Sequence, residues 1–419
     1  MQNVLFFIFR LYGGGAERVV SNLSMAFSEH HNIKVVVYDT QEKTYPFKGE
    51  LIRIKLPFSK DPIHNHWWQR LIRLVILIYK VRKIKRQYKI DVSISFAEQA
   101  NIVNILTRGK RKTVISMRTL LSKEVASTPK MRILTHVIRH LYNKAQQIIV
   151  PSQLGGLDLQ NHFGIKPAKL KVIYNYIEPE KIDALAAETI SDSFLISLFN
   201  RPVLLNVGRI TPAKGQWLLF EAMKKIKHVH PEWKLVIIGE SETEGNLKSR
   251  LLHMANQLGL KLYDSAAAQD PSSEYDIYLL GFKANPFKYM RQSSVLVFPS
   301  VFEGFPNTVL EAMQSRLPLV VADCIAGPRE ILAPKSDLSA RATRTELTEY
   351  GMLCPALPHA DISIPVPPST VDEWVYAIEE VMTKEDLRDR FIANGIRRVR
   401  DFDKEAILAD WEKTIDGNY

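Results

Sequence analysis

The stretch SVLVFPSVFEGFPNTVLEAM, Ser294 to Met313, begins as an apolar run, turns through Gly304 and Pro306, and continues with helical spacing. An apolar run that does not alternate with polar residues is how a strand buried on both faces of a parallel sheet reads. The turn carries one carboxylate, Glu303, and the helix a second, Glu311, eight positions further on. Ligands of open α/β sheets bind beyond the carboxyl ends of the strands. The segment therefore sets two acids where a ligand would sit. Asn307 or Thr308 is placed to cap the helix, and the helix dipole then faces the ligand. A carboxylate repels phosphate but accepts hydrogen bonds from hydroxyls, so Glu303 and Glu311 suit a sugar or a ribose.

The same strand–turn–helix scheme runs through the chain. In the first half the strand candidates are Val4–Phe9, Ile33–Tyr38, Asp91–Phe96, Thr113–Met117, Ile148–Ser152 and Lys171–Asn175. In the second half they are Pro202–Gly208, Lys234–Gly239, Ile277–Phe282, Ser294–Ser300 and Leu317–Asp323. Alternating β and α elements build doubly wound α/β layers. Two such sets predict two Rossmann-like domains, residues 1–190 and 191–400, followed by a C-terminal helical segment, 401–419. The expected boundary lies near Ile177–Arg201, where a helical stretch leads into a fresh strand.

A chain of 419 residues fits two or three domains at roughly 100–200 residues each. Two cysteines, Cys324 and Cys354, are too few for a disulfide framework and read as small buried hydrophobes in a reduced, cytoplasmic setting. The N-terminus lacks the basic region and small-residue cleavage site of a signal peptide. No window holds the ~18 uninterrupted apolar residues of a transmembrane helix. The net charge of +11 is uneven: residues 1–200 carry +15 and residues 201–419 carry −4. A basic first half favours phosphate, nucleic acid or anionic lipid.

Three further turns carry chemistry. LYGGGAERVV, Leu11 to Val20, places Gly13, Gly14 and Gly15 at the start of a helix, with Arg18 after them. Backbone N–H groups there can approach an anion, or the glycines can simply make a tight strand-to-helix turn. Read as a dinucleotide fingerprint the stretch is partial, with Asp39 at the end of the next strand. NVGRITPAKGQWLLFEAM, Asn206 to Met223, sets Gly208, Arg209 and Lys214 between a strand and a helix. A guanidinium fork and an ammonium point charge suit a diphosphate. IYLLGFKANPF, Ile277 to Phe287, ends a strand at Gly281-Phe282. Phe282 is either the apolar rim for a nucleobase or a core residue.

These motifs together resemble the family 4 glycosyltransferases of GT-B fold, retaining enzymes that use nucleotide-sugar donors. The resemblance runs over nearly the whole chain, through GGGAERV, NVGRITPAKG, LLGFKANPF, FPSVFEGFPNTVLEAM and LPLVVADCIAGPREIL. It implies two Rossmann-like doubly wound domains facing a central cleft. Glu303 and Glu311 match the family's E-x7-E motif. By that match Glu303 and the backbone of Gly304, Phe305, Pro306, Asn307 and Thr308 would contact the donor sugar and phosphates. Glu311 would hold the ribose. Arg209 and Lys214 would take the diphosphate and stabilise the leaving group, with Gly208 and Phe282 also on the donor. Gly14 and Gly15 would lie near the sugar and phosphate. The family needs no metal ion or other cofactor, and the segment around Phe402–Trp411 would cross back to the first domain. The chain departs from the family at ISMRTLLSKE, where Arg118 stands and the cleft histidine of several members does not. Arg118 and Arg18 are candidates for acceptor or phosphate. Tyr263–Asp276 is longer than the usual connection and polar, and is expected to be a mobile loop.

WWQRLIRLVILIYKVRKIKRQYK, Trp67 to Lys89, joins two tryptophans, an apolar centre and eight basic residues. It reads as a helix packed on the first sheet and as a basic helix lying on an anionic bilayer, and the two are compatible. With the basic half-chain it points to a lipid-linked saccharide acceptor at the inner face of the cell membrane. GPRE at Gly327–Glu330 resembles members that build bacterial surface polysaccharides and lipid-linked glycans. Nucleic-acid binding would need aromatic platforms or a reading motif, and neither is present. A dehydrogenase would leave Glu303–Glu311 unused. A sugar-nucleotide epimerase shares the architecture but has no use for Trp67–Lys89, and a lipid-binding scaffold has none for the charges at Arg209, Lys214, Glu303 and Glu311.

Overall fold

The computed structural model describes residues 1–12, 14–38, 45–57, 66–122, 129–241, 246–267, 270 and 273–417. Two compact units divide the chain: Met1–Asn175 with Glu405–Tyr419, and Tyr176–Lys404. The division falls ahead of the helix Pro179–Ala186, not at residue 190, because that helix is tied to the second unit. Asp183 receives Arg291 at 3.2 Å and Gln314 at 2.8 Å, and the Leu185 carbonyl receives Asn285 at 2.7 Å.

The N-terminal unit holds seven strands: β1 (Asn3–Ile8), β2 (Asn32–Val37), β3 (Glu50–Arg53), β4 (Val92–Phe96), β5 (Lys112–Ser116), β6 (Gln147–Val150) and β7 (Leu170–Val172). Their order is β3-β2-β1-β4-β5-β6-β7, and every pair is parallel. β3 escaped the sequence reading because its residues are half-exposed or exposed at the sheet edge, so it lacks an apolar run.

The C-terminal unit holds β8 (Val203–Val207), β9 (Lys234–Ile238), β10 (Leu262–Asp264), β11 (Ile277–Leu279), β12 (Val295–Phe298), β13 (Leu319–Ala322), β14 (Glu346–Leu347) and β15 (Met352–Cys354). The order is β10-β11-β9-β8-β12-β13-β15-β14, with only β14 antiparallel to its neighbour. Both sheets are covered by helices, the Rossmann-like arrangement expected. β10 corrects one expectation. Tyr263 and Asp264 are strand residues, and Tyr263, Tyr275 and Tyr278 pack their rings 5.4–5.9 Å apart. The ends of that segment are thus built into the sheet; residues 268, 269, 271 and 272 lie outside the described residues.

Strand order reverses between β1 and β4 in the first sheet and between β8 and β12 in the second. Such switch points open crevices at the carboxyl ends. The motif segments follow β1, β8 and β12. Cys324 and Cys354 are buried and unbridged, and burial pushes both thiols up. Among the described residues no helix is long and apolar enough to cross a membrane.

Candidate active site

In the C-terminal unit two strand-end loops are locked together. Val301 donates its N–H to the Ala213 carbonyl at 2.8 Å. Gly215, at φ +62°, lies so close to the Pro299 carbonyl that a Cβ would stand 2.4 Å from that oxygen. A glycine is required there for both reasons. The turn Pro212–Lys214 is thereby pressed onto the segment after β12. Lys214 Nζ then reaches Glu303 Oε1 at 2.6 Å, across 89 residues of sequence. The ammonium also lies 5.1 Å from the Phe298 ring centroid. Both groups are largely buried, the side chains 22% and 13% exposed, so the pair is screened less than a surface one. The structure thus joins two residues that the motifs kept apart, and Glu303 fixes the position of Lys214.

Arg209 follows Gly208 at the end of β8 and is exposed. Its carbonyl receives Gln216 at 2.9 Å, and Gly208 donates to the Ile238 carbonyl at 2.9 Å. The loop is therefore pinned to both β9 and the following helix.

The helix carrying Glu311 spans Asn307–Gln314. Asn307 is its first residue, and neither Asn307 nor Thr308 caps it. The N-cap is Pro306, which offers no side-chain hydrogen bond. Pro306 is held there by Gly327, where φ is +95° and a Cβ would meet the proline ring at 2.4 Å. The helix start thus carries no capping side chain at its N-cap, which suits an anion or polar group from a ligand. The Phe305 ring is buried against Phe402, centroids 5.5 Å apart, so only its backbone is available to a donor. Glu311 is half-buried. Phe282 is 67% exposed just beyond β11, which removes the core reading and leaves a ring free to stack.

Behind this edge lies a buried ion pair. Arg329 forks onto Asp323 at the end of β13 and also reaches Glu346 at 2.9 Å. The two carboxylates raise the arginine pKa. It is the GPRE arginine, and it anchors the loop after β13.

In the N-terminal unit Gly15 opens the helix Gly15–Phe27 with Gly14 as its N-cap. Glu17 of the first turn folds over Gly14 and pairs with Arg10 at 3.2 Å. This acid was not read from the sequence; Arg10 and Glu17 flanking the glycines were its only signal. Arg18 is exposed. Gly13 and Asp39 lie outside the described residues. Arg118, two residues past β5, donates to Asn175 Oδ1 at 2.9 Å. Its guanidinium lies over the rings of Phe96 and Trp411, 5.5 and 5.6 Å from their centroids. Burial alone pulls its pKa down to about 9. Trp411 belongs to the helix Lys404–Asp416, a partner that sequence distance concealed.

Two family models cover most of the chain. Residues 13–181 match Glycosyltransferase Family 4, and residues 197–341 match Glycosyl transferases group 1. An uncharacterized glycosyltransferase of Methanocaldococcus jannaschii is 30% identical over 88% of this chain and 90% of its own. The chain is a family 4 glycosyltransferase. A second relative of this glycosyltransferase is 29% identical over 79% of the chain and 83% of its own. It is the N-acetylgalactosamine-N,N'-diacetylbacillosaminyl-diphospho-undecaprenol 4-alpha-N-acetylgalactosaminyltransferase of Campylobacter jejuni. Among solved structures, Anabaena HepE in complex with UDP aligns with a TM-score of 0.70 at 18% identity, over 99% of this chain and 100% of that one. At that identity the match shows the glycosyltransferase's GT-B fold.

Proposed function

We propose that this glycosyltransferase moves a hexose or N-acetylhexosamine from a UDP-sugar to a lipid-linked saccharide, with retention and without a metal ion, at the inner face of the cell membrane. The observation that carries the reading is the 2.6 Å pair of Lys214 and Glu303 beside the uncapped start of the helix Asn307–Gln314. The leaving diphosphate gains negative charge as the glycosidic bond breaks. Lys214, Arg209 and the helix N-terminus offer preorganised positive charge to it, which is the largest single contribution such sites make. Glu303 and the loop backbone accept and donate to sugar hydroxyls, Glu311 takes the ribose, and Phe282 takes the base. Cations and the helix end fill the role that a metal ion plays elsewhere. The Campylobacter relative is named for an α-linked product and an undecaprenol-diphosphate acceptor. Transfer from an α-linked UDP-sugar that ends in an α-linkage is retention.

The acceptor side rests on the helix Trp67–Gln87. One stripe, Leu77, Val81 and Ile84, is buried in the core. A second apolar stripe faces outward: Trp67, Leu71, Val75 and Tyr79 at every fourth position, flanked by Trp68 and Ile72. Exposed Arg70, Arg82, Lys83 and Arg86 border it. An apolar stripe with interfacial tryptophans and a basic border fits an anionic bilayer surface.

The test is transfer to a polyprenyl-diphosphate saccharide in EDTA, with UDP-GlcNAc, UDP-GalNAc, UDP-Glc, UDP-Gal and GDP-Man as donors. One UDP-sugar is expected to give an α-linked product. Transfer only with added metal, or a β-linked product, overturns the mechanism. Donor epimerisation without an acceptor would assign the chain to sugar-nucleotide epimerisation.

A further inference from the structure

We infer that Arg118 and Ser116 form an oxyanion receptor within the N-terminal unit, taking a phosphoryl oxygen of a substrate, by preference that of the acceptor's lipid diphosphate. The choice of the acceptor rests on the function proposed above; the oxyanion chemistry does not.

The carboxyl ends of β4 and β5 hold three features that folding alone leaves unexplained. Among the described residues Arg118 has no carboxylate partner. Of its five donors, the N–H groups on Nε and Nη2 are inaccessible to solvent and bond to none of the described residues, and Nη1 meets the neutral amide oxygen of Asn175. Buried polar groups in folded chains are nearly always paired, so an unpaired one calls for a reason. The hydroxyl of Ser116, fully buried, is unpartnered as well. Ala97, the residue after β4, stands at φ 73° and ψ 159°, a region that non-glycine residues enter at a cost and that clusters at ligand sites.

The register brings these together. Phe96 pairs with Ser116 across β4 and β5, so their side chains share one face of the sheet. Arg118 is two residues further along the same chain direction and returns to that face, where its guanidinium meets the Phe96 ring. An arginine stacked on aromatic faces keeps its planar fork aimed while its charge stays unanswered. In a low-dielectric setting that unanswered charge is costly, which is why burial lowers its pKa to about 9. An anion supplies the missing partner to the fork bidentately. Arg118 as a whole is half-buried, so the side chain can be reached, and ligand binding draws the closed-over N–H groups toward the anion. On the function proposed above the donor's diphosphate has Arg209 and Lys214 of the other unit, so Arg118 is assigned to the acceptor.

Isothermal titration with farnesyl diphosphate, farnesol and UDP tests the assignment on the full chain, wild type, Arg118→Met, Arg118→Lys and Ser116→Ala. Wild type is expected to bind farnesyl diphosphate at least tenfold tighter than farnesol. Arg118→Met is expected to weaken farnesyl diphosphate by tenfold or more with UDP unchanged, and to melt no lower than wild type, because it removes an unpaired charge. Arg118→Lys and Ser116→Ala each lower the affinity about threefold. Loss of UDP affinity in place of farnesyl diphosphate affinity upholds the receptor and assigns it to the donor phosphate. Equal binding of farnesyl diphosphate and farnesol by wild type overturns it. So does unchanged affinity for both phosphates in Arg118→Met or, should that variant not fold, in Arg118→Lys and Ser116→Ala. Transfer plays no part in the readout, so a mistaken donor or acceptor sugar leaves this test intact.

Discussion

In the C-terminal unit, Lys214 has a carboxylate at 2.6 Å, Arg329 forks onto Asp323, and Lys248 reaches Asp264 at 2.7 Å. In the N-terminal unit, Lys85 and Arg118 are held by amides: Lys85 by Asn104 Oδ1 at 2.6 Å and Arg118 by Asn175 Oδ1 at 2.9 Å. Both are pulled down in pKa by burial, Lys85 to about 7 and Arg118 to about 9. The difference follows composition, since residues 1–200 hold 30 basic and only 15 acidic residues. With fewer acids to draw on, Lys85 and Arg118 settle on neutral oxygens, although Lys34 and Arg10 of the same unit still meet Glu50 and Glu17. The contrast is between particular sites: Lys214 and Arg329 are answered by carboxylates, whereas Lys85 and Arg118 rest on neutral amide oxygens.

Breaking the paired side gives the largest effects. On the mechanism proposed above, Lys214→Ala would remove a preorganised positive charge from the leaving group, and kcat should fall about 10²–10³-fold. Single-turnover transfer at saturating donor checks it, and a change in KM alone would show uniform binding instead. Asp323→Ala leaves the Arg329 guanidinium, 3% exposed, with the partly exposed Glu346 and the Ser336 hydroxyl. Removing one partner of a buried pair costs about 3–5 kcal/mol, readable by urea denaturation. Near-normal stability would show that the buried pair is not what holds the loop after β13.

The outward face of the N-terminal unit gives smaller effects. Changing Trp67 and Leu71, 76% and 53% exposed, to serine should lower binding to vesicles of anionic lipid about tenfold, by loss of apolar insertion of a few tenths to 1 kcal/mol or more per residue. Their exposure means Tm should stay unchanged, and flotation at rising salt separates the apolar from the charged contribution. Lys85 gives an effect that depends on pH. A lysine whose folded pKa is about 7 against an unfolded value near 10.4 makes the unfolded state hold the extra proton between those limits. Stability therefore rises with pH from about 7 upward. Tm should increase between pH 7 and pH 9, and Lys85→Met should flatten that rise. A fall in Tm that Lys85→Met also removes would mean that the Asn104 contacts keep the lysine charged.

Much of this was legible in the sequence where the signal was local. Continuous apolar runs marked most of the strands, since a strand covered on both faces must be apolar at every position. Short or edge strands such as β3 and β10 lacked that signal. The segments around Arg209–Lys214 and Glu303–Glu311 were legible because a strand end, a turn and a helix start are contiguous in the chain. Asn307 and Thr308 have the chemistry of caps, but the N-cap position falls on Pro306, whose ring packs against Gly327 from a distant loop.

The sequence by itself determined the α/β class, the two-unit plan, the family and the identity of the charged residues at the strand ends, because these follow from periodicity and from motifs within single segments. Only the tertiary structure decided which charges are answered. Lys214 and Glu303 are 89 residues apart, and Trp411 reaches Arg118 from the last helix of the chain. Whether a cation meets a carboxylate, an amide or an aromatic face is set by packing between distant segments. A one-dimensional pattern carries no record of such distances, and electrostatic energy depends on them most steeply.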